Sequence, residues 1–558
     1  MRNYYLGLTI LILAAGCSNK KQYDKIIRNG VIYDGRGGVP YKADVAINAD
    51  TIAEIGNLPA NSAKEEIDAH DMAVAPGFIN MLSWANESLI QDGRSQSDIR
   101  QGVTLDVMGE GSSMGPLNPK MKAEMSKGQG DIHYKVAWNT LGEYLSYMEK
   151  KGISCNIASF IGAGTVRTNV IGEDNRPPSP AELEKMQLLV KQAMQEGAMG
   201  VGSSLIYPPD FFAKTDELIA LCKVASAYGG SYISHMRSEG NKLNEAVAEL
   251  IMIAKQAHIH AEIYHLKAAG KDNWHKMDSV IRQVETARKH GLDITADMYT
   301  YLAGATGLTA SFPPSLQDGG FGKLWQRLHD PVIRAQMAKA MNTNATTWEN
   351  LYYGAGSPDK VLLLAFKQDS LKKYTGKTLA EVAKIRRKSP EETAMDLIVQ
   401  DSTRIGVAYF LMSEDNVKKQ VALPWVSFGS DEGSFSNSGI FLKSNPHPRA
   451  YGNFIRVLGQ YTRDDKVITL PDAIRKLAYL PATNLKLKKR GALLKGYYAD
   501  VVIFDPQKVQ DHATYAKPHQ YATGIAGVFV NGVQVLKDGE HTGALPGRFI
   551  KGPGYGKK

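Results

Sequence analysis

The segment Ser231-Tyr-Ile-Ser-His-Met-Arg-Ser-Glu239 is matched by a second segment, Ala261-Glu-Ile-Tyr-His-Leu-Lys267. Each starts as a short run of strand-forming residues and places a histidine, His235 or His265, at the carboxyl end of that run. The two histidines lie about thirty residues apart, which is the length of one strand–helix–strand unit. Parallel barrel strands end on one face, where active sites are built, so two such imidazoles can converge on one metal ion.

Alternating strand and helix patterns extend a parallel sheet to both sides of these segments. Eight strand-like runs can be counted: residues 72–79, 104–108, 156–161, 200–205, the runs ending at His235 and His265, 292–299 and 425–431. Eight strands close a (β/α)8 barrel, here assigned to residues 76–480. About 120 residues separate the last two strands, far more than one crossover helix needs, so we expect an inserted, mostly helical lid over residues 313–403.

Both ends of the chain differ from this alternating pattern and show only short strands and tight turns. The turn pairs Asn29-Gly30 and Asn531-Gly532 each separate two apolar runs, which predicts hairpins. We therefore assign residues 23–75 and 490–550 to one small β-sandwich that the two ends build together. The fold class is α/β.

The distribution of charged residues bears on which classes of partner the protein can bind. The net charge is +9, but Lys and Arg are scattered and no aromatic residues are interleaved with the short basic runs, which argues against nucleic-acid binding. The surplus of positive charge mildly favours anionic substrates. Cys155 and Cys222 lie in apolar patterns and are interpreted as small buried side chains rather than as a disulfide.

The first seventeen residues are typical of a targeting segment. A short positive start precedes an apolar run, Leu6 to Ala15, that is too short to span a membrane as a mature helix. The run ends in Leu13-Ala-Ala-Gly-Cys17-Ser and resembles a bacterial lipoprotein signal, in which the cysteine becomes the lipidated first residue. We expect a cell-envelope protein, periplasmic or associated with the outer membrane, that meets a membrane only through a lipid on Cys17. A plain signal peptide is the alternative.

Four side chains that can bind a metal or move a proton follow the predicted strand ends: Glu110, His235, His265 and Asp431. Two neutral imidazoles and one carboxylate form a catalytic zinc set that leaves one position open for water. A second carboxylate, outside the ligand set, can take the proton of that water and pass it to a leaving amine. We predict Glu110 as the third ligand and Asp431 as the catalytic base.

Nine short motifs occur in a characteristic order over nearly the whole chain. They are Ala75-Pro-Gly-Phe-Ile79, Gln101-Gly-Val-Thr104, Leu205-Ile-Tyr-Pro-Pro209, Ser234-His-Met-Arg-Ser-Glu239, His265-Leu-Lys267, Asp297-Met-Tyr-Thr-Tyr301, Gly429-Ser-Asp431, His447-Pro-Arg449-Ala-Tyr-Gly and Ala499-Asp-Val-Val-Ile-Phe-Asp505. Together they resemble the D-aminoacylase (N-acyl-D-amino-acid deacylase) family of the amidohydrolase superfamily. The resemblance implies a metal-dependent barrel flanked by a β-sandwich. It also implies hydrolysis of the linear amide of N-acyl-D-amino acids or of related small acylated amino acids and dipeptides.

The resemblance also assigns roles to individual residues. His235 and His265 correspond to the histidine ligands of the family's tightly held metal, and Asp431 corresponds to the catalytic aspartate. Four further residues correspond to groups near the substrate carboxylate: Lys267, Tyr207, Tyr299 and Arg449. A guanidinium such as that of Arg449 suits a carboxylate because it can donate two parallel hydrogen bonds.

The chain departs from the family in its metal ligands. The family's Asp-x-His-x-His pattern after the first strand is replaced by Asn80-Met-Leu82-Ser-Trp84, so we expect no working second metal site. The family's cysteine ligand is also missing, and Gly109-Glu110-Gly111 lies in its place within a segment one residue shorter. The register of Glu110 against that cysteine is therefore left open. We expect one zinc ion per chain.

Two other readings of the chain remain. Gly111-Ser-Ser113-Met-Gly115 matches the nucleophile elbow of a metal-independent serine hydrolase, although Pro116 and Pro119 disfavour the helix that must follow it. Alternatively, the loss of both histidines at Leu82 and Trp84 could mark a catalytically inactive barrel that only binds an acylated ligand. The retention of His235, His265 and Asp431 favours the enzyme.

Overall fold

The computed structural model describes residues 22–557, and the predicted signal segment over residues 1–17 lies outside them. Within these residues, eight parallel strands form the barrel. Their bounds are Phe78–Asn80, Val103–Met108, Asn156–Ser159 (continued by Ile161–Gly162), Gly200–Ser204, Ser231–His235, His260–Ile263, Ile294–Met298 and Val426–Phe428. They are called here the first to the eighth barrel strand.

The barrel is closed by backbone hydrogen bonds between neighbouring strands. Each strand from the fourth to the seventh pairs in parallel with the next, and the first three pair in the same way. Val201 of the fourth strand faces Ile161 of the third. Met81 N donates to Phe428 O over 3.2 Å and so joins the first strand to the eighth. The predicted (β/α)8 barrel is confirmed.

Helices follow the strands and cover the barrel. Their bounds are Ser88–Gln91, Gln96–Ile99, Pro119–Gly128, Leu141–Lys151, Ala163–Ile171, Pro180–Glu196, Thr215–Ala227, Leu243–Ala257, Met277–Lys289, Glu414–Ala422, Arg449–Arg456, Leu470–Ile474 and Leu480–Asn484, with π-helical turns at Val457–Asp464 and Arg475–Tyr479. The helix Pro180–Glu196 shows why these segments are helical. Ser179 and Glu182 form a capping box at its start, and Gly197 ends it with a φ of 111°.

A long insertion separates the seventh and eighth barrel strands. Its helices are Phe321–Arg327, Pro331–Met341, Leu351–Ala355, Leu379–Arg386 and Pro390–Asp401. It also contains an antiparallel sheet of Ala303–Gly307, Gly406–Phe410 and Val361–Ala365. The insertion therefore extends beyond the predicted bounds of 313–403, and it contains three strands besides the predicted helices. Its first strand, Ala303-Gly-Ala-Thr-Gly307, has only one of the branched or aromatic residues that mark strands in a sequence, Thr306, among Ala and Gly.

Short 3-10 turns occur at Asp210–Phe212, Lys271–Lys276, Leu308–Ser311, Pro314–Gln317, Pro358–Lys360, Lys372–Tyr374 and Gly439–Lys443. Cys155 and Cys222 are buried free thiols, as predicted. No helix within residues 22–557 is long and apolar enough to cross a membrane.

The two ends of the chain build the small β-domain together. The N-terminal strands are Tyr23–Ile32, Tyr41–Asn48, Thr51–Gly56, Ala63–Asp68 and Ala73–Pro76, and the C-terminal strands are Val501–Phe504, Ile525–Val530, Val533–Lys537 and Glu540–His541. They form one nine-stranded mixed sheet. Ala73–Pro76 pairs antiparallel with Val501–Phe504, which joins the two ends. The chain then enters the first barrel strand directly after Pro76, so the domain is anchored beside the barrel.

Candidate metal centre and substrate cavity

Glu110 enters the site from a glycine-flanked turn after the second barrel strand. Gly109 has a φ of 107°, and a Cβ on it would lie 2.2 Å from the carbonyl oxygen of Phe160. Gly111 also has a positive φ, 64°. Only glycine tolerates such a backbone without strain, so the two glycines let the chain turn sharply and direct the buried Glu110 side chain inward.

The two histidines lie on neighbouring strands, as their spacing predicts. His235 ends the fifth barrel strand, and His265 follows the sixth by two residues. Both are buried. His265 has a φ of 33°, which is unusual for a residue other than glycine. Its backbone N–H donates to Asp297 Oδ1 over 2.8 Å, and this contact helps to hold the strained turn.

Glu110, His235 and His265 meet at one point. Glu110 Oε1 lies 3.0 Å from His235 Nδ1 and 2.9 Å from His265 Nε2, and the two nitrogens are 2.9 Å apart. Each ring nitrogen carries at most one hydrogen, so protons cannot satisfy all three edges of this triangle well. A cation bound by all three atoms can. The set of two imidazoles and one carboxylate therefore fits a metal such as zinc.

The charges around the triangle also favour a cation. Burial and Lys267 lower the pKa of His265, but Glu239 and Glu110 outweigh them and raise it to about 10. Burial alone would raise the pKa of Glu110, yet the two histidines lower it below its usual range. The site thus stabilises positive charge at the point where the three side chains meet.

Glu239 and Lys267 form a second layer behind the histidines. Lys267 Nζ lies 2.6 Å from Glu239 Oε1 and 2.7 Å from His265 Nδ1. Glu239 Oε1 is 3.1 Å from His265 Nδ1, so a hydrogen on Nδ1 can point to Glu239 and leave the Nε2 lone pair for a metal. Lys267, which the family resemblance places near the substrate carboxylate, is thus already paired inside the protein. Glu239 was given no role from sequence, although a carboxylate four residues after His235 is a usable sign of such a partner.

Asp431 lies beside the triangle, three residues after the eighth barrel strand. Its φ is 50°, and its backbone N–H donates to Leu82 O over 2.8 Å. Its carboxylate is held on both oxygens: Oδ2 is 2.8 Å from Arg449 Nη2, and Oδ1 accepts from Trp84 Nε1 over 3.1 Å. Burial raises the pKa of Asp431, while the charge of Arg449 opposes the rise.

Trp84 and Leu82 occupy the two positions where the family carries histidines. Leu82 is fully buried in an apolar cluster. Trp84 Nε1 donates to Glu110 Oε2 as well as to Asp431 Oδ1, each over 3.1 Å. An indole N–H has no lone pair to give to a metal, so neither residue can be a ligand. Trp84 instead joins the proposed ligand to the proposed base, a contact that the sequence did not reveal.

A cavity of about 850 Å³ opens over these residues. It is lined by the triangle and by all four residues that the resemblance assigns to substrate binding: Lys267, Tyr207, Tyr299 and Arg449. The Arg449 guanidinium stacks 4.2 Å from the centre of the Tyr299 ring. Arg449 Nε and Nη1 and the Tyr299 hydroxyl are buried and have no hydrogen-bond partner among residues 22–557. These donors remain available to a ligand.

Ser113 does not have the surroundings of a nucleophile. Its Oγ donates to Gly115 O over 2.6 Å and accepts from Gly162 N over 3.0 Å. No histidine in the described part of the chain is hydrogen-bonded to it. The next helix begins only at Pro119, so the required strand–turn–helix elbow is not formed.

The model of the amidohydrolase family matches residues 65–536 of this chain. D-aminoacylase of Alcaligenes xylosoxydans xylosoxydans is 30% identical over 537 residues, which cover 96% of this chain and 98% of that protein.

Two solved structures are also similar over 95% of this chain and all of theirs. One is a D-aminoacylase with a binuclear metal centre, in which one metal activates and the second attenuates. Its TM-score is 0.77 and its sequence identity is 30%. The other is N-acyl-D-glutamate deacylase of Bordetella bronchiseptica, complexed with zinc and a phosphonate inhibitor that mimics the tetrahedral intermediate, at a TM-score of 0.77 and 26% identity. Together with the closed barrel and its histidine–carboxylate centre, these similarities show that the chain belongs to the amidohydrolase family, in the branch of D-aminoacylase.

Proposed function

We propose that this protein is a metal-dependent hydrolase that cleaves the linear amide of N-acyl-D-amino acids or of related small acylated amino acids and dipeptides. The observation that carries the proposal is the triangle of Glu110, His235 and His265, with Asp431 beside it in one cavity. The related D-aminoacylase and N-acyl-D-glutamate deacylase support the substrate class.

The substrate carboxylate is assigned to Arg449 and Tyr299. Arg449 has free N–H groups on Nε and on Nη1, and either one can donate to the carboxylate together with the Tyr299 hydroxyl. Arg449 also touches Asp431, so binding of the carboxylate at this point places the amide close to the base. Such positioning can supply a large part of the rate enhancement.

The chemistry of the amide step is divided between the metal centre and Asp431. Glu110, His235 and His265 would hold a zinc ion, which makes water more acidic and polarises a carbonyl when bound. Asp431 accepts the proton of the attacking water on its carboxylate and passes it to the leaving amine. Arg449 and Trp84 hold that carboxylate in place.

We assign one zinc ion to each chain. Leu82 and Trp84 offer no lone pair where a second metal would need ligands. Activation of a related D-aminoacylase by one metal supports a working centre of this kind. Zinc in the related N-acyl-D-glutamate deacylase supports the identity of the metal.

The proposed function is tested by metal analysis of the purified protein together with turnover of a panel of N-acyl-D-amino acids and their L-enantiomers. We expect about one zinc per chain and release of the free D-amino acid. Bound metal without turnover of any member would favour the inactive binding barrel. Turnover that survives removal of the metal would contradict the proposal.

Replacing Trp84 by Phe is expected to lower kcat about tenfold while KM stays near the parent value. The change keeps an aromatic ring but removes the N–H that joins Glu110 to Asp431, and a hydrogen bond to a charged group contributes about 1.5–3 kcal/mol. Steady-state kinetics on the best substrate of the panel measures the effect.

Trp325→Phe is the matched control for Trp84→Phe. Trp325 is 37% exposed, close to the 39% of Trp84, and its N–H donates to a backbone oxygen in the insertion. The Trp325→Phe variant should keep the kcat and KM of the parent protein. Equal losses in both variants would mean that the Trp84 bridge has no part in catalysis.

We further propose that the protein is a lipoprotein of the cell envelope, anchored through a lipid on Cys17. Cys17→Ser should then move it from the membrane fraction to the soluble fraction, because one lipidated cysteine is the whole of the proposed anchor. Fractionation followed by immunoblotting measures this. Continued membrane association of the variant would contradict the anchor.

A further inference from the structure

Arg404 is a second arginine in the cavity, and it comes from the insertion. It lies two residues before the strand Gly406–Phe410 and lines the same cavity as Arg449. Its guanidinium carbon lies 5.1 Å from the centre of the Tyr207 ring. Its Nη2 donates to Thr306 Oγ1 over 3.3 Å.

No carboxylate among residues 22–557 forms an ion pair with Arg404. The two other Lys and Arg residues that line the cavity are paired inside the protein, Lys267 with Glu239 and Arg449 with Asp431. Arg404 stacks on Tyr207 and donates to Thr306, and these three residues are called here the Arg404 cluster. A guanidinium at a cavity wall that has no carboxylate partner is suited to bind an anion.

The Arg404 cluster lies across the metal centre from Arg449. The Tyr207 ring packs edge-on against His235 at 5.2 Å, and the Tyr299 ring lies 6.4 Å from His265. Tyr207 follows the fourth barrel strand, His235 ends the fifth, His265 follows the sixth, and Tyr299 follows the seventh. Arg404 therefore packs on Tyr207 and Arg449 packs on Tyr299. The two histidines lie between the two tyrosines.

We propose that the acyl half of the substrate ends in a carboxylate, which Arg404 binds. This inference rests on the proposed function, in which Arg449 and Tyr299 hold the carboxylate of the amino-acid half. If the amide lies over His235 and His265, the acyl half extends toward Tyr207 and Arg404. The substrate class is then an N-acyl-D-amino acid whose acyl group comes from a dicarboxylic acid, such as an N-succinyl-D-amino acid.

Such a molecule is comparable in length with the arc of strand ends between the two tyrosines. Neighbouring strands lie about 4.8 Å apart, so the arc from the fourth strand end to the seventh is about 14 Å. An N-succinyl amino acid is about two residues, or roughly 7 Å, long. Hydrogen bonds of about 3 Å at both ends extend its reach to about 13 Å.

A carboxylate on the amino-acid side chain fits less well. Such a side chain branches from the carbon that carries the carboxylate held by Arg449, and it does not cross the amide to reach Arg404. The reaction is an ordinary hydrolysis. The C–N bond breaks, the water oxygen joins the acyl carbon, and the amine leaves with the proton to give a dicarboxylate and a free D-amino acid.

The test compares N-succinyl-D-alanine with N-butyryl-D-alanine, whose acyl chain is equally long but ends in a methyl group. We expect the parent protein to prefer the succinyl compound about tenfold in kcat/KM, a modest factor because Arg404 is exposed and its charge is screened. Arg404→Met should bring the ratio of the two kcat/KM values close to one. Arg404→Lys should give an intermediate ratio.

Arg386→Met is the matched control. Arg386 lies in the same insertion and stacks on Tyr374 at 5.0 Å, but it is outside the cavity. Its variant should keep the succinyl-to-butyryl ratio of the parent. A parent ratio of one or less, or a ratio unchanged in Arg404→Met, would overturn the inference.

Two further experiments distinguish a failure of the proposed function from a failure of the inference about Arg404. Calorimetric binding of both compounds to the Asp431→Asn variant, with and without Arg404→Met, measures the succinyl preference as a ratio of dissociation constants. It tests Arg404 even if neither compound is hydrolysed and the proposed function fails. N-acetyl-D-glutamate and N-acetyl-D-glutamine are compared in parallel. An Arg404-dependent preference for the glutamate compound alone would move the anion to the amino-acid half and contradict the inference.

Discussion

Replacing His265 by Ala is expected to abolish metal binding and turnover together. His265 Nε2 is one corner of the triangle, 2.9 Å from both Glu110 Oε1 and His235 Nδ1. Its loss leaves one imidazole and one carboxylate, fewer protein ligands than the three that a catalytic zinc site uses. We expect metal content to fall from about one ion per chain to near zero. Activity should fall to background. Metal analysis and the N-acyl-D-amino-acid assay on the same preparation measure both.

His260→Ala is the control for the His265 variant. His260 starts the same barrel strand that precedes His265, but at the opposite end, and pairs with Asp293 at 2.9 Å. It is equally buried, so its loss also removes a buried imidazole. The control should keep its metal, although it loses some stability. A His265→Ala protein that folds and still holds one metal ion per chain would show that His265 is not a ligand.

The strand ends were predictable from sequence because their signal is local. A short apolar run that ends in a histidine is visible at His235 and again at His265, and the parallel barrel then brings the two ends together. The strand Ala303–Gly307 was not predictable in this way. Four of its five residues are Ala or Gly, which are depleted in strands, and its pairing with Gly406–Phe410 is set by the tertiary structure.

The contacts between loops could not be predicted from a single sequence. Glu239 and Lys267 follow different strands, and their pairing depends on how the two loops bend. That Trp84 cannot bind a metal follows from the chemistry of its indole. That its N–H bridges Glu110 and Asp431 could not be predicted from the sequence. Arg404 lies in an insertion about 100 residues after Tyr299, and the antiparallel sheet of that insertion returns it to the cavity.

Asp431 illustrates how the fold sets the chemistry of a residue that the sequence identified. Its backbone has a positive φ, and the turn is fixed by Ser430, whose N–H donates to Asn80 Oδ1 over 2.8 Å. Asn80 stands where the family carries an aspartate. A neutral amide at that position can both accept from Ser430 N and donate to Ser430 Oγ, so it locks the turn that presents Asp431.

Asp401→Asn is the control for a substitution at Asp431. Asp401 is a fully buried carboxylate in the insertion that accepts from the backbone N–H groups of Lys367 and Gln368. It lies outside the cavity wall. The control should keep both its metal and its kcat while its melting temperature falls, so it separates a general cost of replacing a buried carboxylate from the loss of a base.

Asp431→Asn itself is expected to keep its zinc and lose roughly two to four orders of magnitude in kcat, the usual contribution of a general base. Asn preserves the shape of the side chain and can still accept from Arg449 Nη2 or Trp84 Nε1, but its amide cannot take a proton from water. The metal should remain because Glu110, His235 and His265 are untouched. Metal analysis and pre-steady-state kinetics on one preparation measure both quantities. A variant that folds without metal would make Asp431 a ligand rather than the base, whereas one with full zinc and near-parent kcat would assign the proton transfer to another group.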